Sequence, residues 1–390
     1  MQLFKKRILL LGLTSALLIS AFPAAAVYAE DTDSNVQQVQ TKTQQTFTID
    51  DAIKYAKENS SSLASAKSSV DYAKSSASEA KIAQKKLKDS KGLSISDVNT
   101  LMAFNGYTYE AAKMNYRMAQ RAVIQTEYSL ESNVSSLFYT YLSNAEKVKI
   151  AESSLAAAQE RKKAAEIKHE NGFISDIDMN LFNLSEIQAQ NDLNSSKRQL
   201  ELSMMNFKSG INYPLDQPLQ LSGTFTRPEK EATSYDTALK KIENSITRAN
   251  TEDTLKLAEL KAQTYNNYYT SNQPGWYSGK AEFATAQLTY NNSVNNEKIN
   301  LYTAWNGVQT VYEALNALDI SYDTAKKQVE AAKLSYNLGT LSANDYLDKE
   351  RDLYSSQNTL LDTELNAYLA NEQSRLLFDC ENTIFEEDNN

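Results

Sequence analysis

One short pattern occurs twice in the chain, first as Gly172-Phe-Ile-Ser-Asp-Ile-Asp178 and again as Gly339-Thr-Leu-Ser-Ala-Asn-Asp345. Its glycine, serine and final aspartate recur at a constant offset, since 339 minus 172 and 345 minus 178 are both 167. A left-handed glycine ends helices, whereas a serine followed by acids suits the first turn of a new helix. Each copy therefore predicts the tip of a helical hairpin.

The segments on either side of both tips have the composition of long helices. No proline interrupts Val27 to Tyr213 or follows Gly275. A helix from about residue 109 to 170 would be a rod of roughly 90 Å. Its apolar and small residues step by three or four, as in a coiled coil: Val134, Leu137, Tyr141, Ala145, Val148, Ala151, Leu155 and Ala158. The fold class predicted is all-α, an elongated antiparallel bundle of helical hairpins with little or no β-structure.

A second repeated phrase indicates that the whole helical unit is duplicated. Residues 48–54, which open a helix expected to run to about residue 88 with Asp50 as its N-cap, are echoed by residues 234–240. The long helix of the second half is expected from about residue 280 to 338. In each half, two shorter helices stacked end to end should cover the long helix. Three of the five prolines lie between the halves. The expected organisation is a signal peptide (1–29), a flexible lead-in (30–46), helical repeat 1 (47–209, tip 171–175), a proline-containing linker (210–232), helical repeat 2 (233–379, tip 338–342) and an acidic tail (380–390).

The N-terminus has the pattern of a secretory signal peptide. Three basic residues precede an apolar run from Ile8 to Phe22, which is short for a membrane span, and small residues follow. Without residues 1–29 the net charge changes from −9 to −12, because three bases and no acid are removed. Surplus acid on an exported chain argues against nucleic acid as a partner and gives no overall attraction to anionic lipid.

The chain resembles the TolC-type outer-membrane efflux proteins. The resemblance rests on the duplication, the helix openings, the linker Tyr213–Leu219 and the two tips in register. The resemblance covers residues 47–378. The tip pattern of that family is glycine, two residues, serine or threonine, two residues, then aspartate. The second tip also matches the family's Asp-x-Leu-Asp extension at Asp345 to Asp348.

The resemblance implies a homotrimer whose six hairpins form a hollow α-cylinder, a conduit for efflux rather than an enzyme. The tips would face a periplasmic-adaptor-like (membrane fusion) protein that serves an exporter in the inner or cytoplasmic membrane. The implied docking residues are Gly172, Phe173, Ile174, Ser175, Gly339, Thr340, Leu341 and Ser342. Acids at the entrance constriction would be Asp345, Asp348 and Asp178; the alternative is that these acids only stabilise the first turns of their helices.

One departure from the family concerns the membrane-facing end. Family members insert a β-hairpin between the early helix and the long helix of each half, and residues 88–109 and 265–290 lack the alternation that two strands need. Reduced or missing barrel hairpins are therefore expected, without direct membrane insertion. The expected location is the cell envelope, in the wall space of a cell without an outer membrane, with the outer membrane as the alternative.

No cofactor or metal site is expected. The single His169 lies beside the first tip without metal-ligand spacing, and the single Cys380 cannot form an internal disulfide. Two other functions remain open at this point. One is an exported structural or interaction coiled-coil protein that has lost the pore, and the other is a long-helix pore-forming toxin, for which no apolar insertion segment is present.

Overall fold

A computed structural model describes residues 45–90, 97–230 and 233–378. The expected signal peptide, most of the lead-in and the acidic tail with Cys380 lie outside the described residues. The elements, in chain order, are β1 (Gln45–Phe47), α1 (Ile49–Asn59), α2 (Ser61–Asp89), α3 (Val98–Asn105), α4 (Tyr107–Glu170), α5 (Asp176–Gly210), β2 (Leu219–Leu221), α6 (Tyr235–Lys241), a 3-10 turn (Ile242–Asn244), α7 (Ile246–Tyr268), α8 (Pro274–Asn337) and α9 (Ala343–Phe378). The all-α class is confirmed.

The internal repeat is visible in the helix boundaries. Helices α4 and α8 each contain 64 residues and begin 167 residues apart, since 274 minus 107 is 167. Helices α5 and α9 begin at the same offset, 343 minus 176. Helix α8 begins at Pro274, about six residues before the predicted start. Proline suits the first helical position because its φ is preset and no N–H is lost there.

The first helix differs from its prediction in two ways. Its N-cap is Thr48 and not Asp50, because Thr48 and Asp51 form a reciprocal capping box in which the Thr48 N–H donates to the Asp51 carboxylate at 3.0 Å. The predicted single helix is also interrupted at Ser60, whose hydroxyl accepts from the Leu63 N–H at 3.2 Å and starts α2. Ser245 starts α7 in the same way.

The segment between the repeats is tightly bound, and the lead-in ends before residue 45. Gln45 and Thr46, expected in the lead-in, belong to β1, which pairs in parallel with β2 of the linker. Beside these strands a buried cluster joins α1, α4, α5 and the linker: Ala52, Ala56, Val134, Phe138, Leu142, Phe207, Ile211, Tyr213, Leu219 and Leu221. Further along, the Arg227 guanidinium donates to Asp319 of α8 and Glu364 of α9 at 2.6–2.8 Å.

The helices pack side by side as one layer of four rows. The first row contains α2 and α5, the second α4, the third α7 and α9, and the fourth α8. As the helix lengths predicted, α2 and α5 lie one after the other along α4, and α7 and α9 do the same along α8. The two halves join where α7 and α9 meet α4. At α7 this joint contains buried Asp253, which accepts hydrogen bonds from Arg117 and Arg121 at 2.5–3.1 Å.

The layer has two different ends. Both tips lie at one end, where α4 and α8 finish, and these helices begin about 96 Å away. In the two segments where the resemblance would place strand pairs, the described residues are mainly helical. The first segment contains the end of α2, α3 and the start of α4, and the second contains the end of α7, the short turn 269–273 and the start of α8.

Candidate functional site: the paired hairpin tips

The first tip is a helix C-cap of the Schellman type. Gly172 has a φ of 73°, its N–H donates to the His169 carbonyl at 2.9 Å, and the Phe173 N–H donates to the Lys168 carbonyl at 2.8 Å. A Cβ on Gly172 would meet no atom within 4 Å. Glycine is thus required here for its backbone conformation and not for space.

The returning helix of the first tip begins with a capping box, as its serine predicted. The Ser175 hydroxyl accepts from the Asp178 N–H at 3.1 Å, while the Ser175 N–H donates to the Asp178 carboxylate at 3.3 Å. One further contact closes the turn, since His169 Nε2 lies 2.6 Å from Asp176 Oδ1. The lone histidine therefore has a local contact within its own hairpin.

The second tip repeats this geometry residue by residue. Gly339 also has a φ of 73°, its N–H donates to the Tyr336 carbonyl at 3.1 Å, and the Thr340 N–H donates to the Ser335 carbonyl at 3.0 Å. Ser342 starts α9, and its hydroxyl accepts from the Asp345 N–H at 3.1 Å. The repeated sequence pattern is therefore a repeated pair of caps, which share the left-handed glycine, the two C-cap hydrogen bonds and the serine hydroxyl that accepts from the aspartate N–H.

The two tips contact each other through a small apolar cluster. Ala165, Phe182, Ala343 and Leu347 are buried in it, and Ile174, Met179, Leu181 and Tyr336 pack around them. The Tyr336 ring is central, because it lies 5.8 Å from the Phe182 ring of the first hairpin and stacks on Tyr346 at 5.4 Å. Burial raises the pKa of Tyr336, and the nearby Asp178 carboxylate adds to this effect.

Charged groups surround this apolar cluster. Arg161 of α4 pairs with Glu350 of α9 at 3.1 Å, and the Tyr346 hydroxyl donates to Glu350 at 2.8 Å. Burial and the Glu350 charge raise the pKa of Tyr346 well above its usual range. On the outer side, Lys168 Nζ donates to the Asn337 side chain at 3.3 Å. The tips of one chain are thus held together as one unit.

Comparison with known proteins gives matches at the level of structure. No protein-family model and no curated protein matches the sequence. The solved structure of the Campylobacter jejuni CmeC outer membrane channel matches with a TM-score of 0.66 at 11% identity, over 93% of this chain and 96% of that chain. The outer membrane protein VceC from Vibrio cholerae matches with a TM-score of 0.67 at 10% identity, over 85% and 95%.

A third match is the open state of the Neisseria gonorrhoeae MtrE outer membrane channel, with a TM-score of 0.57 at 17% identity, over 94% of this chain and 99% of that chain. The chain has the TolC-type fold. The predicted resemblance is confirmed at this level. Two of these neighbours are outer membrane channels and one is an outer membrane protein.

Within this TolC-type fold the expected docking residues divide into two groups. Phe173 is 79% exposed and Thr340 is exposed at the far surface of the tips, while Ile174 and Leu341 are half-buried. Ile174 contributes to the cluster between the hairpins and is less available to a partner. The exposed apolar set also includes two residues that the sequence pattern did not single out, Leu338 at 70% and Ile177 at 74% exposure.

The expected constriction acids have partners within the chain. Asp178 and Asp345 hydrogen-bond to the serines that cap their helices, and Asp348 pairs with Arg351 at 2.9 Å and accepts from Asn344 at 3.2 Å. Asp178 and Asp345 therefore stabilise the first turns of α5 and α9, whereas Asp348 lies one turn further along α9. In the part of the chain that the structure describes, none of the helices of this TolC-type fold is long and apolar enough to cross a membrane.

Proposed function

We propose that the chain is a passive duct of an envelope efflux system. Three copies would form a closed helical wall, and the tips would dock an adaptor that passes substrates from a membrane exporter. The TolC-type fold and the two matched tips support this function, and the signal-peptide pattern supports an envelope location.

The distribution of exposed apolar side chains carries the proposal. These side chains concentrate on the two edges of the helix layer, and the described residues of α9, inside the layer, carry none that is both large and exposed. The first edge, α2 and α5, carries Tyr72, Ile82, Ile177, Leu184, Ile187, Leu202 and Met205. The second edge, α8, carries Leu288, Ile299, Tyr302, Ile320 and Leu334. The two edges differ, so the first edge of one copy would bind the second edge of the next. Such head-to-tail association forms a ring when the rotation between copies closes.

The internal repeat predicts which residues would meet between copies. Lys147 of α4 pairs with Asp362 of α9 at 2.5 Å within the chain. Their counterparts are Ala314 on α8 and Ser195 on α5, since 147 plus 167 is 314 and 362 minus 167 is 195. Both counterparts are exposed in the single chain. If α8 meets α5 of the next copy as α4 meets α9, these two positions face each other.

The internal joint and the open edges differ in charge. The internal joint contains the pairs Lys147–Asp362 and Arg161–Glu350. The corresponding edge positions are all uncharged: Ala314 with Ser195, and Gln328 with Asn183. A neutral, partly apolar edge suits a lasting joint between copies. A neutral edge cannot pair with the charged residues of the internal joint, so their charges would be left without partners. Copies would therefore associate through their open edges.

Cross-linking at the predicted joint tests the assembly. In a Cys380→Ser background, Ala314→Cys and Ser195→Cys together should react with a short bis-maleimide to give covalent dimers and trimers, and nothing longer. Ala314→Cys alone is the matched control and should not cross-link, because a head-to-tail joint never brings two copies of one position together. A strict monomer by light scattering, or a ladder beyond three chains, would contradict the closed trimer.

Adaptor docking is tested at the exposed tip residues. Phe173→Ser and Leu338→Ser should weaken binding of a purified periplasmic-adaptor-like (membrane fusion) protein. Leu215→Ser, a change at a 54% exposed leucine of the linker, away from the tips and from both edges, should not affect this contact. Equal binding by all variants would place the adaptor elsewhere on the chain.

The constriction role of the acids is tested by cation binding to the trimer in solution. Three copies of Asp345 and Asp348 around an axis would attract cations. Asp345→Asn with Asp348→Asn should therefore weaken binding of the trivalent cation hexaamminecobalt(III), measured by calorimetry, while Asp323→Asn, an exposed acid on α8, should not. Equal binding by all three proteins would favour the alternative in which these acids act only within their own helix.

A further inference from the structure

The turn between α7 and α8 carries a group of aromatic rings at the end of the layer opposite the tips. We define the aromatic cap as Tyr268, Tyr269, Trp276 and Tyr277. These residues flank the turn 269–273, so they lie about 96 Å from the end of α8 that forms the second tip. The proposed duct function does not use this surface.

The aromatic cap is held in a defined arrangement. The Tyr269 N–H donates to the Tyr265 carbonyl at 2.8 Å, and the Thr270 N–H donates to the Gln273 side chain at 3.1 Å. The Tyr269 ring covers Gly275 so closely that a Cβ there would lie 2.2 Å from a ring carbon. The rings of Tyr268 and Tyr269 meet edge to face at 4.9 Å. The turn therefore presents its rings with little conformational freedom to lose on binding.

The exposed rings are of the amphipathic type. Tyr277 is 55% and Tyr268 is 36% exposed, and half-buried Trp276 has Lys280 Nζ 3.6 Å from its ring centre. Tyrosine and tryptophan combine an apolar body with a polar group, and they concentrate at the level of lipid headgroups, where long lysine side chains reach the phosphates. The composition fits a bilayer surface better than a dry protein interface.

The local charge also fits a bilayer surface. The chain carries a net charge of −9, yet no aspartate or glutamate stands between Glu259 and Glu282. Glu282 is itself paired with Lys261 at 2.5 Å. Anionic headgroups repel acids and attract lysine by about 1 kcal/mol for each residue near the surface. The aromatic cap is therefore a neutral-to-basic area on an otherwise acidic chain.

Helix α3 adds an apolar surface that packs on α7. None of its eight residues is buried, although its sequence contains Val98, Leu101, Met102 and Phe104. These half-exposed apolar side chains lie beside the cap, so they extend the apolar surface whose burial would be favourable in free energy.

We propose that the aromatic cap seats this end of the chain on the surface of a lipid bilayer. Its rings lie at the headgroup level, Lys280 approaches the phosphates, and the helices stay outside the hydrocarbon core. This contact is peripheral and reversible, and it orients the layer with its tips away from that membrane. The membrane at the aromatic cap is therefore not the membrane of the exporter, so this inference rests on the proposed function and on the outer-membrane alternative for the location.

Trp276 provides an intrinsic probe, because the chain has only two tryptophans. In Trp305→Phe, vesicles of phosphatidylethanolamine and phosphatidylglycerol should shift the Trp276 emission to shorter wavelength and protect it from iodide. Brominated lipids should quench it at headgroup depth. Unchanged emission and quenching at saturating lipid would overturn the proposal. Circular dichroism and wild-type flotation show whether the substitution itself disturbs the fold.

Flotation of the otherwise unmodified mature chain gives an independent test. Tyr268→Ser with Tyr277→Ser should lower vesicle partitioning about ten-fold, because two amphipathic rings no longer leave water. Tyr322→Ser, at a half-buried tyrosine about 70 Å along α8 from the cap, is the control and should float like wild type. Equal loss in both variants, or ring-dependent binding to purified cell-wall glycan in place of vesicles, would overturn the proposal.

Discussion

The ammonium group of Lys168 lies 4.4 Å from the ring centre of Tyr336, and the two residues belong to different hairpins. Lys168 is in the last turn of α4, and Tyr336 is in the last turn of α8. The same ring contacts Phe182 and stacks on Tyr346. A single tyrosine thus contacts both hairpins, and we expect the spacing of the two tips to depend on it.

Replacing Lys168 should loosen this connection. Lys168→Met keeps the length of the side chain but removes the cation–π contact and the hydrogen bond to Asn337, with a loss of about 0.5–1 kcal/mol. The distance distribution between spin labels at positions 173 and 338, measured in a Cys380→Ser background, should broaden. Lys163→Met, at an exposed position on the same helix, is the control, and broadening in both variants would show that the contact is not responsible.

Replacing glycine by alanine should lower the free energy of unfolding at the two tips and raise it inside a helix. Gly172→Ala and Gly339→Ala should each lower the free energy of unfolding by about 1 kcal/mol, because alanine resists a φ of 73°. Gly307→Ala, within α8 and also without a steric neighbour, should raise it by about 0.5–1 kcal/mol. Urea titration measures all three, and stabilisation by Gly172→Ala would contradict the left-handed cap.

The buried Asp253 should contribute stability that depends on pH. Burial opposes its ionisation, but hydrogen bonds from Arg117 and Arg121 outweigh burial and lower the pKa of Asp253 below its ordinary value. A lowered folded-state pKa gives stability that is present above the ordinary value, about 3.9, and is lost as pH falls through the folded-state pKa.

Asp253→Asn should therefore reduce the free energy of unfolding by about 3–5 kcal/mol at neutral pH, since two buried arginines lose this carboxylate. The difference from wild type should shrink as the pH is lowered below about 4. Urea titrations at several pH values measure this difference, with Asp323→Asn as the exposed control. A pH-independent difference would mean that the charge of Asp253 is not what stabilises the joint.

The linker should detach when Arg227 is removed. Its guanidinium bridges Asp319 and Glu364, and the hydrogen bond from Arg227 lowers the pKa of Asp319. Arg227→Ala should cost about 1 kcal/mol, as these are partly exposed pairs, and should speed proteolytic cleavage within residues 214–230. Arg198→Ala, on the exposed face of α5, should leave the cleavage rate unchanged; equal rates for all three proteins would argue that the strands alone hold the linker.

The sequence predicted the caps of the two tips more accurately than the first residues of the other helices. Gly172 and Ser175 carry strong capping chemistry that acts within four or five residues, so their roles were readable. The Thr48 cap was missed because Asp50 and Asp51 stand beside it, and all three types favour that position. The break at Ser60 was missed because serine also occurs inside helices, and only packing on α4 decides between the two.

The amino-acid sequence by itself determined the helical class, the duplication at an offset of 167, and the caps of both tips, because each depends on short-range periodicity and backbone preference. Only the tertiary structure decided that β1 pairs with the linker, that Asp253 joins α7 to two arginines of α4, and that Tyr336 connects the tips. Those contacts join residues far apart in the chain, and no local preference specifies which distant partner a strand, an arginine or a ring will meet. The repeat sets the form of each hairpin, and packing sets how the hairpins meet.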